Sequence, residues 1–244
     1  MAKLKSRVGE IYTTNEGYSI EIINYFNKRN CTIKFYNDLI LYNIHFSCIK
    51  KGNVKNPNHK SVYGVGYLGV GKYNCTNYLK IYATWNNMLE RCYESKYHEK
   101  RPTYIDCTVD EEWHNFQNFA KWYEENHKEN YALDKDILFR RNKVYSPKTC
   151  CFVPQEINSL LVKSNSIRGK YPIGVCKLGS KFKSAIKINT KTFHLGLFST
   201  PSEAFQAYKK AKETYLKEMA EKYKNKITEP TYRALINYKV EIDD

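Results

Sequence analysis

The chain has 244 residues and a formal net charge of +15 at pH 7, and 42% of its residues are hydrophobic. This composition supplies enough apolar material for packed cores, which argues against global disorder. No apolar run reaches the roughly 18 residues of a membrane span, and no apolar stretch follows the first basic residues, as it would in a secretory signal. We therefore expect a cytoplasmic protein whose 8 cysteines are buried free thiols.

The positive charge is concentrated towards the two ends of the chain. Residues 1–58 contain 9 Lys and Arg against 4 Asp and Glu, residues 59–165 contain 15 against 13, and residues 166–244 contain 16 against 8. A basic surface attracts a polyanion, and nucleic acid is the usual one. The charge alone therefore favours nucleic-acid binding, with a lysine-rich bias towards solubility as the alternative.

The first part of the chain has the pattern of short β-strands. Residues 18–26 and 31–36 alternate between apolar and polar side chains, and Asn-rich and Asp-containing turns separate them. Such strands predict a small meander or barrel. Residues 52–58 have the composition of a linker, so we place the first module at residues 1–58.

The middle part, residues 59–165, changes to a helical period. Apolar residues follow the i, i+3, i+4, i+7 pattern from Trp85 to Cys92, and a similar pattern runs from Trp113 to Tyr123. A short extended piece, residues 133–138, then precedes a turn at 145–147, and residues 152–161 lead into a third helix. Residues 64–69 match a G-x-G-x-x-G pattern, but no helix is expected after them, so we predict a glycine-rich turn and not a nucleotide site.

The last part, residues 166–244, predicts three strands and one helix. The strands cover residues 171–178, 181–190 and 192–198, and a tight turn at Gly179 joins the first two. Thr200, Pro201 and Glu203 have the spacing of a capping box with proline in the first turn, which predicts a helix start. We expect Lys212 on that helix to be solvated.

This C-terminal part resembles a known DNA-binding domain. The resemblance lies in the strings Tyr171-Pro172-Ile173-Gly174-Val175, Lys181-Phe182-Lys183-Ser184-Ala185-Ile186-Lys187, His194-Leu195-Gly196-Leu197-Phe198 and Thr200-Pro201-Ser202-Glu203-Ala204. They are similar to the ethylene-response-factor (APETALA-type) domain, which also occurs in bacteriophage and mobile-element nucleases. The resemblance implies a three-stranded sheet that lies in the major groove of duplex DNA and reads base edges from its exposed face.

Alternation along the second strand predicts which face is exposed. Phe182, Ser184, Ile186 and Ile188 should pack on the helix, while Lys183, Ala185, Lys187 and Asn189 face outward. Arginines that plant members carry on the first strand are replaced here by Cys176 and Leu178, so we expect mainly phosphate contacts. The predicted DNA-binding residues are Arg168, Lys170, Lys177, Lys181, Lys183, Lys187, Lys191 and His194. A plain interaction module is the alternative.

The middle part resembles the core of HNH endonucleases of phage proteins. The strings are Leu133-Asp134-Lys135-Asp136, Tyr145-Ser146-Pro147-Lys148-Thr149-Cys150, Phe152-Val153-Pro154 and Ile157-Asn158. In that family two strands and a helix surround one divalent metal ion, and the first strand ends in Asp-His. The resemblance implies a ββα centre in which Asp134 and Asn158 bind a divalent cation such as Mg²⁺, and metal-assisted hydrolysis of a phosphodiester.

The chain departs from the HNH pattern at the general base. Lys135 stands where the family has histidine, and a lysine with its ordinary pKa of about 10.4 is a poor base near neutral pH unless burial lowers that pKa. Asp136 is a further candidate for water activation or for metal binding, with a turn role as the alternative. We treat Asp134, Lys135, Asp136 and Asn158 as the candidate catalytic residues. Asn142 is a looser match to the family's middle asparagine.

The sequence therefore predicts an α+β protein with a β-rich N-terminal module, an HNH-like ββα centre and a C-terminal three-stranded antiparallel sheet packed on one helix. The whole resembles a phage-encoded homing endonuclease that acts on double-stranded DNA in the cytoplasm of a bacterial host. The resemblance includes no membrane and no small-molecule cofactor. Two alternatives remain: a DNA-binding protein with a degenerate, non-catalytic HNH scaffold, and a protein-interaction module whose charge is incidental.

Overall fold

The computed structural model describes residues 6–161, 169–188 and 191–242, and the chain has a mixed α+β architecture. Contacts between Cα atoms divide it into two compact units. The first comprises residues 1–90 and 113–119, and the second comprises residues 91–112 and 120–244. This division does not follow the boundaries at residues 58 and 165, and the three-module organisation stays a prediction.

The first unit begins with a four-stranded antiparallel meander. Its strands are β1 (Ile11–Thr13), β2 (Ser19–Asn27), β3 (Asn30–Phe35) and β4 (Ile40–Ile44), paired in that order, and the short helix α1 (Phe46–Lys50) follows. One face of the meander buries a cluster that includes Ile20, Ile22, Ile33 and Phe35. The alternating pattern at the start of β2 produces this buried face, so the predicted β-rich start is confirmed.

A glycine-rich turn packs against tryptophan in the rest of the first unit. A Cβ atom on Gly66 would lie 2.5 Å from Leu89 Cδ1 and 3.0 Å from Trp85 Cζ2, so only glycine fits there without a shift. Trp85 donates its indole N–H to the Trp113 carbonyl at 2.7 Å. The predicted glycine-rich turn is therefore confirmed, and Gly66 and Gly69 serve close packing, whereas a Cβ atom on Gly64 would have nothing within 4 Å.

The middle of the chain contains helices close to the predicted ones. They are α2 (Leu79–Tyr93), α3 (Ser95–Lys100) and α4 (Phe116–Asn126). Trp113 lies in a 3₁₀ turn, Glu111–His114, and not in α4 itself, so the apolar period begins one turn before the regular helix. Strands β5 (Thr108–Val109) and β7 (Val144–Tyr145) form a short parallel pair.

A ββα arrangement forms part of the second unit. Strand β6 (Tyr131–Asp134) pairs antiparallel with β8 (Cys151–Pro154), and α5 (Gln155–Leu161) follows at once. The loop between β6 and β8 contains β7. Ile137, Val153 and Ile157 belong to the core beneath this arrangement. The predicted ββα centre is present, with two strands of four residues each.

The C-terminal sheet has the three predicted antiparallel strands, but the first begins at Val175 and not at residue 171, because residues 171–174 form a turn in which the Val175 N–H donates to the Pro172 carbonyl at 3.1 Å. Strands β9 (Val175–Leu178), β10 (Lys181–Ile188) and β11 (Lys191–Phe198) are antiparallel with β10 in the centre. Helix α6 (Pro201–Tyr223) packs on the sheet and starts with the predicted capping box at Thr200 and Glu203. The expectation that Lys212 is solvated was wrong: it is 4% exposed, with Nζ 5.7 Å from the ring centre of Tyr208.

Helix α6 belongs to two cores at once. Its first half contributes Phe205 and Tyr208 to the core under the sheet. Its second half contributes Leu216, Met219 and Ala220 to the core under the ββα arrangement, which α7 (Glu229–Ile236) completes. The single helix therefore ties the C-terminal sheet to the ββα centre within the second unit. Among the described residues, no helix combines the length and apolar character needed to cross a bilayer.

Candidate functional site

Asp134 is the last residue of β6, opposite Cys151 of β8. Its Oδ1 accepts hydrogen bonds from the backbone N–H groups of Asp136 at 2.7 Å and Ile137 at 2.8 Å, so it holds the turn that follows the strand. Its Oδ2 has no hydrogen-bond partner among the described residues. Burial raises the pKa of this carboxyl group above its ordinary value, although the two N–H donors oppose that shift.

Lys135 points into the protein and is 8% exposed. Its ammonium lies 2.8 Å and 2.9 Å from the two carboxylate oxygens of Asp136 and 2.6 Å from the Asn142 carbonyl oxygen. Burial lowers the pKa of Lys135, but the hydrogen bond and charge of Asp136 raise it more, so its pKa is above the ordinary value. The ammonium therefore stays protonated at neutral pH and has no lone pair with which to act as a base.

Asn142 closes the same loop from the other side. Its Nδ2 donates to the Lys135 carbonyl at 2.9 Å and to the Val144 carbonyl at 2.6 Å, while its Oδ1 accepts from the Val144 N–H at 3.1 Å. All of these bonds join a side chain to the backbone. Lys135 and Asn142 thus bind each other's backbone carbonyls, and the loop from 135 to 142 is held at both ends.

Asn158 lies in α5 and is half-buried. Its side chain forms no hydrogen bond within the described part of the chain, and none joins it to Asp134. Over residues 6–161, 169–188 and 191–242, no group of three or more His, Cys, Asp and Glu side chains is placed to hold a metal ion. Asp134 and Asn158, the two residues predicted to bind the metal ion, both carry oxygen atoms of the kind that Mg²⁺ binds.

The strand register separates the predicted DNA-binding residues into two faces of the C-terminal sheet. Ser184 and Ile186 are buried against α6, so the residues that alternate with them face outward. Lys183 is paired with Leu197 and with Cys176, and Lys187 is paired with Thr192. Directly opposed residues share a face. The outer face therefore presents Lys181, Lys183, Lys187, His194, Leu178 and Leu197.

Two of the predicted lysines lie on the other face by register. Lys177 is opposite Phe182, and Lys191 is opposite Ile188, so both belong to the side that packs on α6. Both are nevertheless exposed. The sequence pattern predicted that all lysines of the three strands bind DNA. It did not assign them to the two faces of the sheet, because that assignment depends on how the strands pair.

The remaining predicted residues precede or flank the sheet. Lys170 is exposed, with Nζ 5.4 Å from the ring centre of Tyr171. Arg168 lies outside the described residues. His194 Nδ1 accepts a hydrogen bond from the Gly196 N–H at 2.8 Å, which leaves Nε2 of the neutral ring as the N–H donor.

The strands of this sheet carry basic and no acidic side chains. No Asp or Glu occurs between Glu156 and Glu203, whereas that stretch contains eight Lys and Arg. Lys181, Lys183 and Lys187 form no ion pair with any described residue. Leu178 and Leu197 are 55% and 47% exposed on the same face. The outer face therefore combines unpaired cations with apolar side chains, and sequence reasoning had not included the two leucines.

None of the protein-family models, curated proteins or solved structures compared with this chain matches it.

Proposed function

We propose that the protein binds double-stranded DNA through the outer face of its C-terminal sheet. The observation that supports this most is the outward alignment of Lys181, Lys183 and Lys187 in a stretch that has no acidic residue. Lysines that are not neutralised by carboxylates replace the counterions condensed on DNA phosphates, and this replacement supplies most of the affinity for a duplex. The major groove is also wide enough to admit a two-stranded β-ribbon, such as the hairpin of β10 and β11.

The composition of the face favours phosphate contacts with limited base reading. Lysine acts as a point charge, whereas guanine is most often read by a bidentate side chain. Leu178 and Leu197 are placed to contact thymine methyl groups, and His194 is placed to donate from Nε2. The proposed partner is therefore duplex DNA, bound with modest sequence preference.

A charge-reversal pair tests this proposal. Lys183→Glu with Lys187→Glu removes two cations from the outer face, while Lys210→Glu with Lys217→Glu makes the same charge change on exposed positions of α6. We expect the first double variant to bind a duplex oligonucleotide roughly tenfold or more weakly. The second should bind like the unmodified chain. Equal affinities of the two double variants would remove the outer face from the interface.

The HNH-like centre supports a scaffold role better than a catalytic one. In the family that it resembles, a base activates water, but here Lys135 is a protonated ammonium whose three donors meet Asp136 and Asn142. The Asp136 carboxylate forms an ion pair with the same ammonium. The non-catalytic reading, in which the ββα arrangement supports the DNA-binding sheet through α6, is therefore the one we favour.

Metal-dependent cleavage is the second candidate, and the uncommitted Oδ2 atom of Asp134 is the observation that favours it. If a divalent cation binds there with Asn158, it would supply Lewis-acid stabilisation of the scissile phosphate. Incubation of the full chain with supercoiled plasmid and Mg²⁺, Mn²⁺ or EDTA separates the two candidates. Metal-dependent nicking that is lost in Asp134→Ala would establish a nuclease, and binding without nicking under every metal supports the scaffold.

A further inference from the structure

A cleft of about 680 Å³ opens in the second unit beside the ββα arrangement. Its walls come from the end of α4, from β6 and β8, from the loop after Lys135 and from the turn between α6 and α7. Pockets that hold small organic ligands have volumes of roughly 300–1,000 Å³. The cleft is therefore of a size to accept one nucleotide, and none of the functions discussed so far uses it.

Aromatic rings form much of the cleft wall. Trp122 and Phe152 stack with their ring centres 5.2 Å apart and an interplanar angle of 27°. Tyr131 lines the cleft next to them, and its hydroxyl donates to the Lys226 carbonyl at 3.2 Å. Phe139 lies at the rim and is 55% exposed. Flat rings of this kind provide stacking surfaces for a nucleobase of any sequence.

The charged residues around the cleft are mostly cations. Lys128, Lys148 and Lys226 line it, against the single acid Glu125. The Lys128 ammonium donates to the Lys226 carbonyl at 2.7 Å, which fixes the position of its charge. Lys148 and Lys226 form no ion pair with a described residue. Phe139 is exposed, and Trp122 and Tyr131 are half-buried over the buried Phe152. Cations beside such aromatic rings complement a base together with the phosphates on either side of it.

We propose that this cleft binds an unstacked nucleotide of single-stranded DNA. The base stacks on the aromatic wall, and Lys148 and Lys226 contact the flanking phosphates. The proposal goes beyond duplex binding by the sheet and does not depend on it, because the cleft and the outer face of the sheet share no residue. It gives the protein a second nucleic-acid site, suited to a frayed end, a nick or a displaced strand.

Tryptophan fluorescence reports on this site. The chain has 3 Trp, of which Trp85 and Trp113 are fully buried, so quenching by an added base reports Trp122. The probes are a short oligothymidylate, an abasic oligonucleotide of the same length and thymidine monophosphate. We expect the oligothymidylate to quench at the lowest concentration and the abasic strand to quench little. Equal quenching by the abasic strand, or none by any probe, would overturn the proposal, and tighter binding of the mononucleotide would make a free nucleotide the ligand.

Substitutions at the exposed rim separate the cleft from the sheet. Phe139→Ala and Lys148→Glu should each weaken oligothymidylate binding roughly tenfold. Phe26→Ala, at a 63% exposed aromatic position of the N-terminal sheet, is the matched control and should change nothing. Single-strand binding that survives in Lys183→Glu with Lys187→Glu supports an independent site. Loss of it in that double variant, with Phe139→Ala silent, would place single-strand binding on the sheet and overturn the assignment to the cleft.

Discussion

The buried ammonium of Lys135 and the half-exposed carboxylate of Asp136, adjacent in the chain, form an ion pair with an N–O distance of 2.8 Å. The pair lies at the position for which the sequence motif predicted the general base of an HNH-like centre. Because the same ammonium also donates to the Asn142 carbonyl, it fixes the loop between β6 and β7. The lysine is thus a structural cation in this fold.

The ion pair should contribute to stability. Asp136→Asn leaves the Lys135 ammonium with a weaker partner, and we expect the free energy of unfolding to fall by about 1–3 kcal/mol. Lys135→Met should cost a similar amount, and a double-mutant cycle should give a coupling energy of about 0.5–3 kcal/mol. Denaturant unfolding of the unmodified chain, the two single variants and the double variant measures this coupling energy. Strictly additive effects would mean that the two side chains do not interact.

Gly174 should be indispensable for packing the sheet on α6. It has φ +77°, and a Cβ atom there would lie 2.0 Å from Tyr208 Cδ2. Gly174→Ala should therefore lower the free energy of unfolding by more than about 2 kcal/mol. Gly179→Ala is the matched control, since Gly179 has φ +60° but nothing within 4 Å of a Cβ atom, and it should cost about 1 kcal/mol. Equal losses would assign the whole effect of Gly174 to backbone conformation.

Glu156 should make the stability depend on pH. Its carboxylate accepts hydrogen bonds from Lys222 at 2.9 Å, Tyr223 at 3.0 Å and Tyr215 at 3.3 Å, which joins α5 to α6. The bond from Lys222 is the main cause of a lowered pKa for Glu156, although partial burial opposes it. Because the pKa is lower in the folded state, ionised Glu156 contributes to the free energy of unfolding. This contribution is complete above the unfolded-state pKa of about 4.3 and is lost as the pH falls through the folded-state pKa.

The comparison with Glu156→Gln measures this contribution. We expect the variant to be less stable by about 1 kcal/mol at neutral pH, because a charged acceptor is replaced by a neutral one. The difference should shrink progressively below about pH 4.3. A difference that stays constant down to strongly acidic pH would show that the charge of Glu156 does not contribute.

The cysteines should react in an order set by exposure and pKa. The expectation that all 8 cysteines are buried was wrong for Cys48 and Cys176, which are exposed. Burial raises the pKa values of Cys92, Cys150 and Cys151 to about 12. The thiolate is the reactive form. A thiol reagent at neutral pH, followed by peptide mass analysis, should modify Cys48 and Cys176 first and the other three only after unfolding. Early modification of Cys92 would contradict its burial.

Local patterns predicted much of the fold. The alternation at Ser184 and Ile186 identified the face that packs on α6, and the Thr200–Glu203 spacing located the start of that helix. Both are signals within a few residues of sequence. The burial of Lys212 and the addition of α7 to the core of Leu216 and Met219 were not predictable in this way, since they depend on which distant segments meet.

The candidate sites were predictable only in part, for the same reason. The positions of Asp134 and Lys135 followed from a motif, but the motif does not say that Lys135 meets Asp136 and the Asn142 carbonyl. Likewise, Lys177 and Lys183 are both strand lysines, and only the pairing of Lys177 with Phe182 separates their faces. Side-chain pairing across strands and loops determines both outcomes.

The salt dependence of duplex binding tests the central claim most directly. The slope of log K against log salt concentration reports the number of phosphates that the protein neutralises, at about 0.9 per contact. We expect fluorescence anisotropy with a labelled duplex to give a slope whose magnitude is about 2 less in Lys183→Glu with Lys187→Glu than in the unmodified chain. The slope should be unchanged in Lys210→Glu with Lys217→Glu. Identical slopes in the two double variants would contradict DNA binding by the outer face of the sheet.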